Sequence, residues 1–307
     1  MSSYRYKTWV FQEECKNLNL QKNKEISIFL IYISKMAQDI NKLGFKSIVE
    51  NYDLFFIDIW GVIHNGINLH KDAVEVLKNL FELNKEFILL TNAPRPNRNV
   101  MDFLLRMGLD KKYTSKVYTS GQAALNYLIN NYKNKTFYHI GPPRDFGLFQ
   151  DFESMKTKNI DNAEYFLCTG LFDEYNNDLN YYKKLLETKT KKIMICTNPD
   201  LIVDRGQVRE YCAGSVAKSF YEIGGKVEYF GKPYPQVYNQ SAEIKNKRTL
   251  CIGDNLNTDI RGANIQSFDS LLVSSGIHKT EIETINFDKL LKKYDVKVNF
   301  IQSNLKW

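Results

Sequence analysis

Cysteine is scarce in this 307-residue chain: five residues, at positions 15, 168, 196, 212 and 251, with no Cys-x-x-Cys pair among them. That excludes a disulfide framework and a cysteine zinc site of ordinary spacing, and it suits thiols buried in a reducing compartment. Long apolar runs are missing as well. No stretch reaches the roughly 18 residues of a membrane-spanning helix. The best candidate, Ile26 to Ile33, is too short and lacks the small-residue cleavage site of a signal peptide. Repeats and low-complexity blocks are absent. One-sided charge is absent from the body of the chain, although the formal net charge is +7. Residues 1–36 carry six Lys/Arg against three Glu, and residues 289–307 carry five Lys against one Asp. Those two ends hold the whole excess, so solvated tails explain the basicity better than a nucleic-acid groove.

What remains is ordinary globular material, 43% hydrophobic and 25% charged, in a chain long enough for about two domains or one with a large insertion. Residues 1–36 differ in character and are expected to be an amino-terminal extension, non-native or flexible. Met36, just ahead of a helical pattern, is an alternative first residue.

From residue 53 onwards, strand and helix patterns alternate. Residues 53–60 (DLFFIDIW) form a continuous apolar run, the mark of a strand buried on both faces. Helices follow over 72–84 and 97–107, the second stopped by Gly108, with strands at 86–92 and 116–120 and a helix from Gly121. A second series has strands at 136–141, 163–170 and 191–197 and helices over 177–187 and near 213–223. The first series then resumes with strands at 226–233, 249–255 and 269–276 and a helix from 279. Such alternation predicts an α/β fold with parallel sheets.

In an open parallel sheet, ligands bind beyond the carboxyl ends of the strands, so the polar residues there are the informative ones. Asp58 ends the first strand and Thr91-Asn92 the second. Lys232 follows a later strand, and Asp254 ends the TLCIG strand with Asp259 five residues on. Two acids, a hydroxyl, an amide and a lysine at one sheet edge make a site for phosphate and Mg²⁺. A carboxylate can attack phosphorus, a hard cation with oxygen ligands offsets the repulsion between two anions, and hydroxyl and ammonium groups neutralise the remaining charge.

Taken in order, FFIDIWGV, ILLTN, GKP and CIGDNLNTD resemble the four motifs of the haloacid dehalogenase superfamily. Thr91 and Lys232 are 141 residues apart, and Lys232 and Asp254 only 22. The long gap is where class IIA members, the sugar-phosphate and pyridoxal-phosphate phosphatase-like enzymes, carry an α/β cap. TSGQAALNYL, TNPD, GKPYP and GDNLNTDI look class IIA in detail. The resemblance implies a Rossmann-like core over 37–133 and 227–307 with an inserted cap over 134–226. It makes Asp58 the nucleophile, Thr91 and the Asn92 N–H phosphate ligands, and Lys232 the partner of both. Asp254, Asp58 and the carbonyl of Trp60 become Mg²⁺ ligands, with Asp259 orienting metal-bound water. The family's dehalogenase chemistry does not fit beside such a cap.

Trp60 departs from the pattern. The family's phosphatases usually have a second Asp there, which protonates the leaving oxygen and then activates water. Its loss typically costs ~10²–10⁴ in rate. The sequence resembles a class IIA subgroup whose first motif reads D-x-W-G-V-x-H. His64, six residues after Asp58, is either the replacement acid–base or a hydrogen-bonded loop histidine. Trp60 itself is either packing beneath the cap or a stacking surface for substrate. In the cap, Asn198 and Asp200 of TNPD are the expected substrate-lining groups. Arg205 is either a partner for a carboxylate or second phosphate or an ordinary surface arginine, and the helix start at Gly214-Ser215 either accepts an anionic group or simply caps the helix. The sequence therefore predicts a cytoplasmic Mg²⁺-dependent phosphatase of a small phosphorylated metabolite, monomer or homodimer, without nucleic-acid or membrane partners. The alternative is a weakened member that binds a phosphorylated ligand without efficient turnover.

Overall fold

A computed structural model describes residues 37–205 and 208–307. Its central feature is a parallel sheet built from the apolar runs. The strands in chain order are β1 (Leu54–Ile57), β2 (Glu86–Thr91) and β3 (Val117–Thr119), then β4 (Phe137–Ile140), β5 (Tyr165–Cys168) and β6 (Ile193–Cys196). They continue with β7 (Ile202–Arg205), β8 (Val208–Tyr211), β9 (Lys226–Tyr229), β10 (Thr249–Gly253), β11 (Asp269–Val273) and β12 (Phe300–Gln302). In the seven-stranded larger sheet Asp39 belongs to an edge strand, and the other six run parallel in the order β12-β11-β10-β1-β2-β3. Because side chains alternate between faces, Phe55 and Ile57 enter one apolar cluster and Leu54 and Phe56 another. That two-sided burial is why the run is continuous rather than alternating.

The helices match the amphipathic patterns closely. Lys71–Glu82 buries Ala73, Val76, Leu77 and Leu80, and Asn97–Arg106 ends before Gly108, whose φ is +92°. Both lie on the larger sheet's first apolar cluster.

The smaller sheet is four parallel strands in the order β9-β6-β5-β4. Here the expected boundary is corrected. Residues 226–229 pair with β6 through Val227 opposite Met194, so the strand placed in the core series belongs to the inserted sheet. Phe137, Tyr165, Leu167 and Ile195 of the smaller sheet share one apolar cluster with Leu54 and Phe56 of the larger and with Val237 of the helix Pro235–Ser241. The insertion is therefore seated on the core by a continuous apolar contact. Its other face is closed by Leu179–Leu186 and Ala213–Glu222 around Phe166, Met194 and Phe220. β7 and β8 form an antiparallel ribbon, with Asp204 opposite Arg209, which reaches back towards the core. The four cysteines among the described residues are buried and unpaired. None of the described helices is long and apolar enough to cross a membrane.

Candidate active site

Strand ends converge on one point of the larger sheet. Asp58 leaves β1 with its N–H donated to Ile252 O of β10 (2.8 Å), which fixes the carboxylate beside the end of that neighbouring strand. Lys232 lies on the segment after β9. Its ammonium reaches Asp58 Oδ1 at 2.5 Å and Asp259 Oδ1 at 2.6 Å, all three side chains being nearly inaccessible. Asp259 Oδ2 accepts the Asn255 N–H (3.1 Å), so both of its oxygens are engaged. Asp58 Oδ2 has no protein partner among the described residues. Oxygens of Asp58, Asp254 and Asp259 lie within 4.8 Å of one another.

Burial sets the electrostatics. Desolvation pushes the Asp58 carboxyl well above its ordinary range, opposed by Lys232 and assisted by Asp259 and Asp254. Asp254 is raised to about 7, first by burial and then by Asp259. Burial works against the charge on Lys232, but Asp259, Asp58 and Asp200 outweigh it and hold the ammonium above its usual range. One lysine among four carboxylates leaves an excess of negative charge, which a bound cation would offset. The donor set suits a hard dication, since every candidate ligand atom is oxygen. Two glycines make room for the Asp254 carboxylate. A Cβ on Gly61 or on Gly276 would sit 2.2 or 2.1 Å from Asp254 Oδ2, and Gly61 holds φ +87°. Asp254 Oδ2 also accepts the Ile277 N–H at 3.0 Å, which fixes its rotamer.

Asn92 ties three segments together. Its amide nitrogen donates to Asp200 Oδ1 and to Lys232 O, both at 3.0 Å, and its oxygen accepts the Lys232 N–H at 2.7 Å. Thr91 and Asn92 join Asp58, Lys232, Asp254 and Asp259 around a cavity of about 310 Å³. Trp60, His70, Asp200 and the β7 residues Ile202, Val203 and Asp204 are also among the residues that line it. Burial raises the Asp200 carboxyl to about 6, against the pull of Lys232 and Asn92. Asn198 does not reach the cavity wall; its Oδ1 accepts the Asp200 N–H (3.0 Å) and shapes the turn. Arg205 ends β7, and its side chain lies outside the described residues. At the start of helix Ala213–Glu222, Ser215 lines a larger cleft, but the first N–H groups are taken. Gly214 N–H donates to Asp200 O, Ser215 N–H to Cys212 O, and a Cβ on Gly214 would strike Pro199 O at 2.3 Å.

For His64 the structure takes the loop-histidine alternative. The ring is 2% exposed, wedged edge-on between Trp60 and Phe103, and its Nδ1 accepts the Gly66 N–H at 2.8 Å. Burial, with His70 nearby, lowers its pKa to about 4, and it lines no part of the cavity. Trp60 packs under the insertion through its indole Nε1–H, which donates to Asp204 O at 2.9 Å, and it also lines the cavity, so the stacking alternative stays open beside packing. Arg209 in turn forks onto Asp204 at 2.7 and 2.9 Å. The ribbon and His70 went unread in the sequence. Gly206-Gln207 between LIVDR and VREY is a hairpin signal that was available, whereas nothing in the pattern marks His70.

Past Ile202, Asn255, Thr258 and Ile277, which line both spaces, a larger cleft of about 840 Å³ continues between Tyr211 and Arg209 on one side and Tyr234, Arg261 and Tyr294 on the other.

The fold and this carboxylate cluster define a class, and comparison with known proteins agrees. Residues 55–153 match the family of haloacid dehalogenase-like hydrolases, and residues 229–295 match a second family of HAD-hydrolase-like proteins. The chain belongs to the haloacid dehalogenase-like hydrolases. Among its relatives, the 5'-nucleotidase YutF of Bacillus subtilis is 24% identical over 250 residues, 78% of this chain and 94% of that protein. The ribonucleotide monophosphatase NagD of Escherichia coli K12 is 26% identical over 225 residues, 72% of this chain and 86% of its own. A haloacid dehalogenase-like hydrolase from Brucella suis superposes with a TM-score of 0.70 at 28% identity, covering 76% of this chain and 90% of that one.

Proposed function

We propose that the chain is a Mg²⁺-dependent phosphatase that cleaves a small phosphorylated metabolite through a covalent phosphoryl group on Asp58. The carrying observation is the arrangement at Asp58, which lines the cavity with Oδ1 held by Lys232 and Oδ2 bonded to no described residue. The names of the relatives support phosphomonoester chemistry, and they differ in substrate, two naming nucleotides and one dihydroxyacetone. Asp58, Asp254 and the Trp60 carbonyl would hold Mg²⁺, with Asp259 orienting from behind. The ion would supply the positive charge that lets a carboxylate approach a phosphate dianion.

The residues then divide the work. Thr91 Oγ and the Asn92 N–H bind phosphoryl oxygens, and the Lys232 ammonium takes up charge that develops on them. Asp58 attacks phosphorus as the ester bond breaks, and water then cleaves the acyl phosphate. Asp200 and β7, held down by the Trp60 indole, cover the site and exclude bulk water. The larger cleft takes the rest of the metabolite. Weak turnover is the second reading, favoured by Trp60, which offers no proton and whose N–H is already given to Asp204.

The test is phosphate release from a panel of phosphate monoesters by the full chain, with and without Mg²⁺ and EDTA. Metal-dependent turnover of at least one ester is the expected result. Saturable binding of those esters with no release would leave only the weakened member.

A further inference from the structure

The titratable groups around the catalytic cavity are nearly all committed. Lys232 is bonded to Asp58 and Asp259, Asp254 to the Ile277 N–H, Asp200 to Asn92, and Asp204 to Arg209. His70 differs. It is the last residue before helix Lys71–Glu82, and its backbone is pinned on both sides, N–H to Ile63 O (2.8 Å) and carbonyl from the Val74 N–H (3.0 Å). Half-buried, it is one of the residues lining the cavity that holds Asp58, and it also lines a neighbouring space of about 300 Å³ beside Gly61 and Asp72. Neither ring nitrogen bonds to a described residue, and neither is a sealed, unsatisfied atom of the kind found at His278 Nε2. Unpaired yet unsealed, they open onto space rather than onto protein.

We propose that His70 is the general acid and base of the phosphoryl transfer, in place of the carboxylate that Trp60 has displaced. This rests on the reading of Asp58 as nucleophile. In the first step Asp58 Oδ2 bonds to phosphorus while the ester P–O bond breaks. The departing oxygen takes the proton of the His70 imidazolium and leaves as the alcohol. In the second step water bonds to phosphorus through its oxygen, gives a proton to the now neutral imidazole, and the Asp58–phosphorus bond breaks. Carboxylate and imidazolium are restored, and phosphate leaves. Burial lowers the affinity of His70 for its proton. A bound phosphate dianion acts in the opposite direction and favours the charged donor when substrate is present.

Leaving-group dependence tests the assignment. Wild type and His70→Gln are compared on p-nitrophenyl, phenyl and glycerol phosphates at saturating Mg²⁺, reading kcat/KM, which ends at the first irreversible step. Nitrophenolate leaves without a proton and an alkoxide does not. The variant should keep its rate on the nitrophenyl ester within a few-fold, which also shows that it is folded, and lose ~10²–10⁴ on glycerol phosphate. Equal losses on all three esters, no loss on any, or a wild type already unable to cleave the two poorer leaving groups would overturn the role of His70. The phosphatase reading is judged separately. It stands if nitrophenyl turnover disappears in Asp58→Asn, and if wild type cleaves no ester, both readings fall together.

Discussion

Replacing Gly276 with Ala adds one methyl group at the most crowded point of the acid cluster. The new Cβ would sit 2.1 Å from Asp254 Oδ2, 2.3 Å from its Cβ and 2.5 Å from its Cγ, where ordinary contact begins at 3.4 Å. The obstructing atoms include the stem of a short side chain, so Asp254 must retreat by about 1 Å. A misplacement of about 1 Å at a reacting centre costs ~10² in rate, equivalent to ~2.7 kcal/mol of transition-state stabilisation. The retreat also strains the 3.0 Å bond from the Ile277 N–H, worth ~1 kcal/mol of stability. The assay is a Mg²⁺ titration of p-nitrophenyl phosphate hydrolysis, with thermal melting in the presence and absence of the ion. The variant should lose ~10² in kcat/KM, need more Mg²⁺ for half-saturation, and still melt cooperatively. Gly108→Ala is the matched control, because its φ is +92° but nothing lies within 4 Å of the added Cβ. It should cost ~1–3 kcal/mol of stability and leave turnover intact. Wild-type turnover and an unchanged Mg²⁺ response in Gly276→Ala would refute the argument that Asp254 is held in a cradle for the metal.

Two further variants probe the site's supports. Lys232→Met removes the cation buried between Asp58 and Asp259. It should abolish turnover and cost ~3–5 kcal/mol in denaturant unfolding, part of which added Mg²⁺ restores; unfolding that matches wild type would contradict the charge argument. Trp60→Phe keeps the ring contact with His64 but loses the 2.9 Å bond to Asp204 O. Amide exchange in β7 should speed up by the roughly fivefold that ~1 kcal/mol of lost hydrogen bonding allows, with exchange in β1 unchanged. Protection of β7 equal to wild type would mean that the indole does not hold the ribbon.

The residues of the acid cluster were legible because of where they stand in the sequence. Asp58, Thr91 and Asp254 each end a run of apolar residues, and in a parallel sheet those ends meet. Helix limits were legible for a similar reason: Lys71–Glu82 and Asn97–Arg106 differ from the expected ranges by two residues or fewer. Sheet membership was not. Lys226–Tyr229 reads as a strand in either sheet, and its pairing with β6 is a tertiary choice made by packing around Val227 and Tyr229. The three residues of Phe300–Gln302 are too few to show a period. Chain distance did not decide between the histidines. His64 is closer to Asp58 in sequence, but the loop turns it inwards against Trp60 and Phe103 and brings His70 to the cavity. The tie between Trp60 and Asp204 spans 144 residues and left no local trace.

The central claim is that Asp58 does the chemistry. It is tested most directly by hydrolysis of p-nitrophenyl phosphate by wild type and Asp58→Asn side by side with Mg²⁺, with melting curves to show that both are folded. The account predicts metal-dependent turnover in wild type and none above the blank in Asp58→Asn. Turnover that survives the substitution would contradict it.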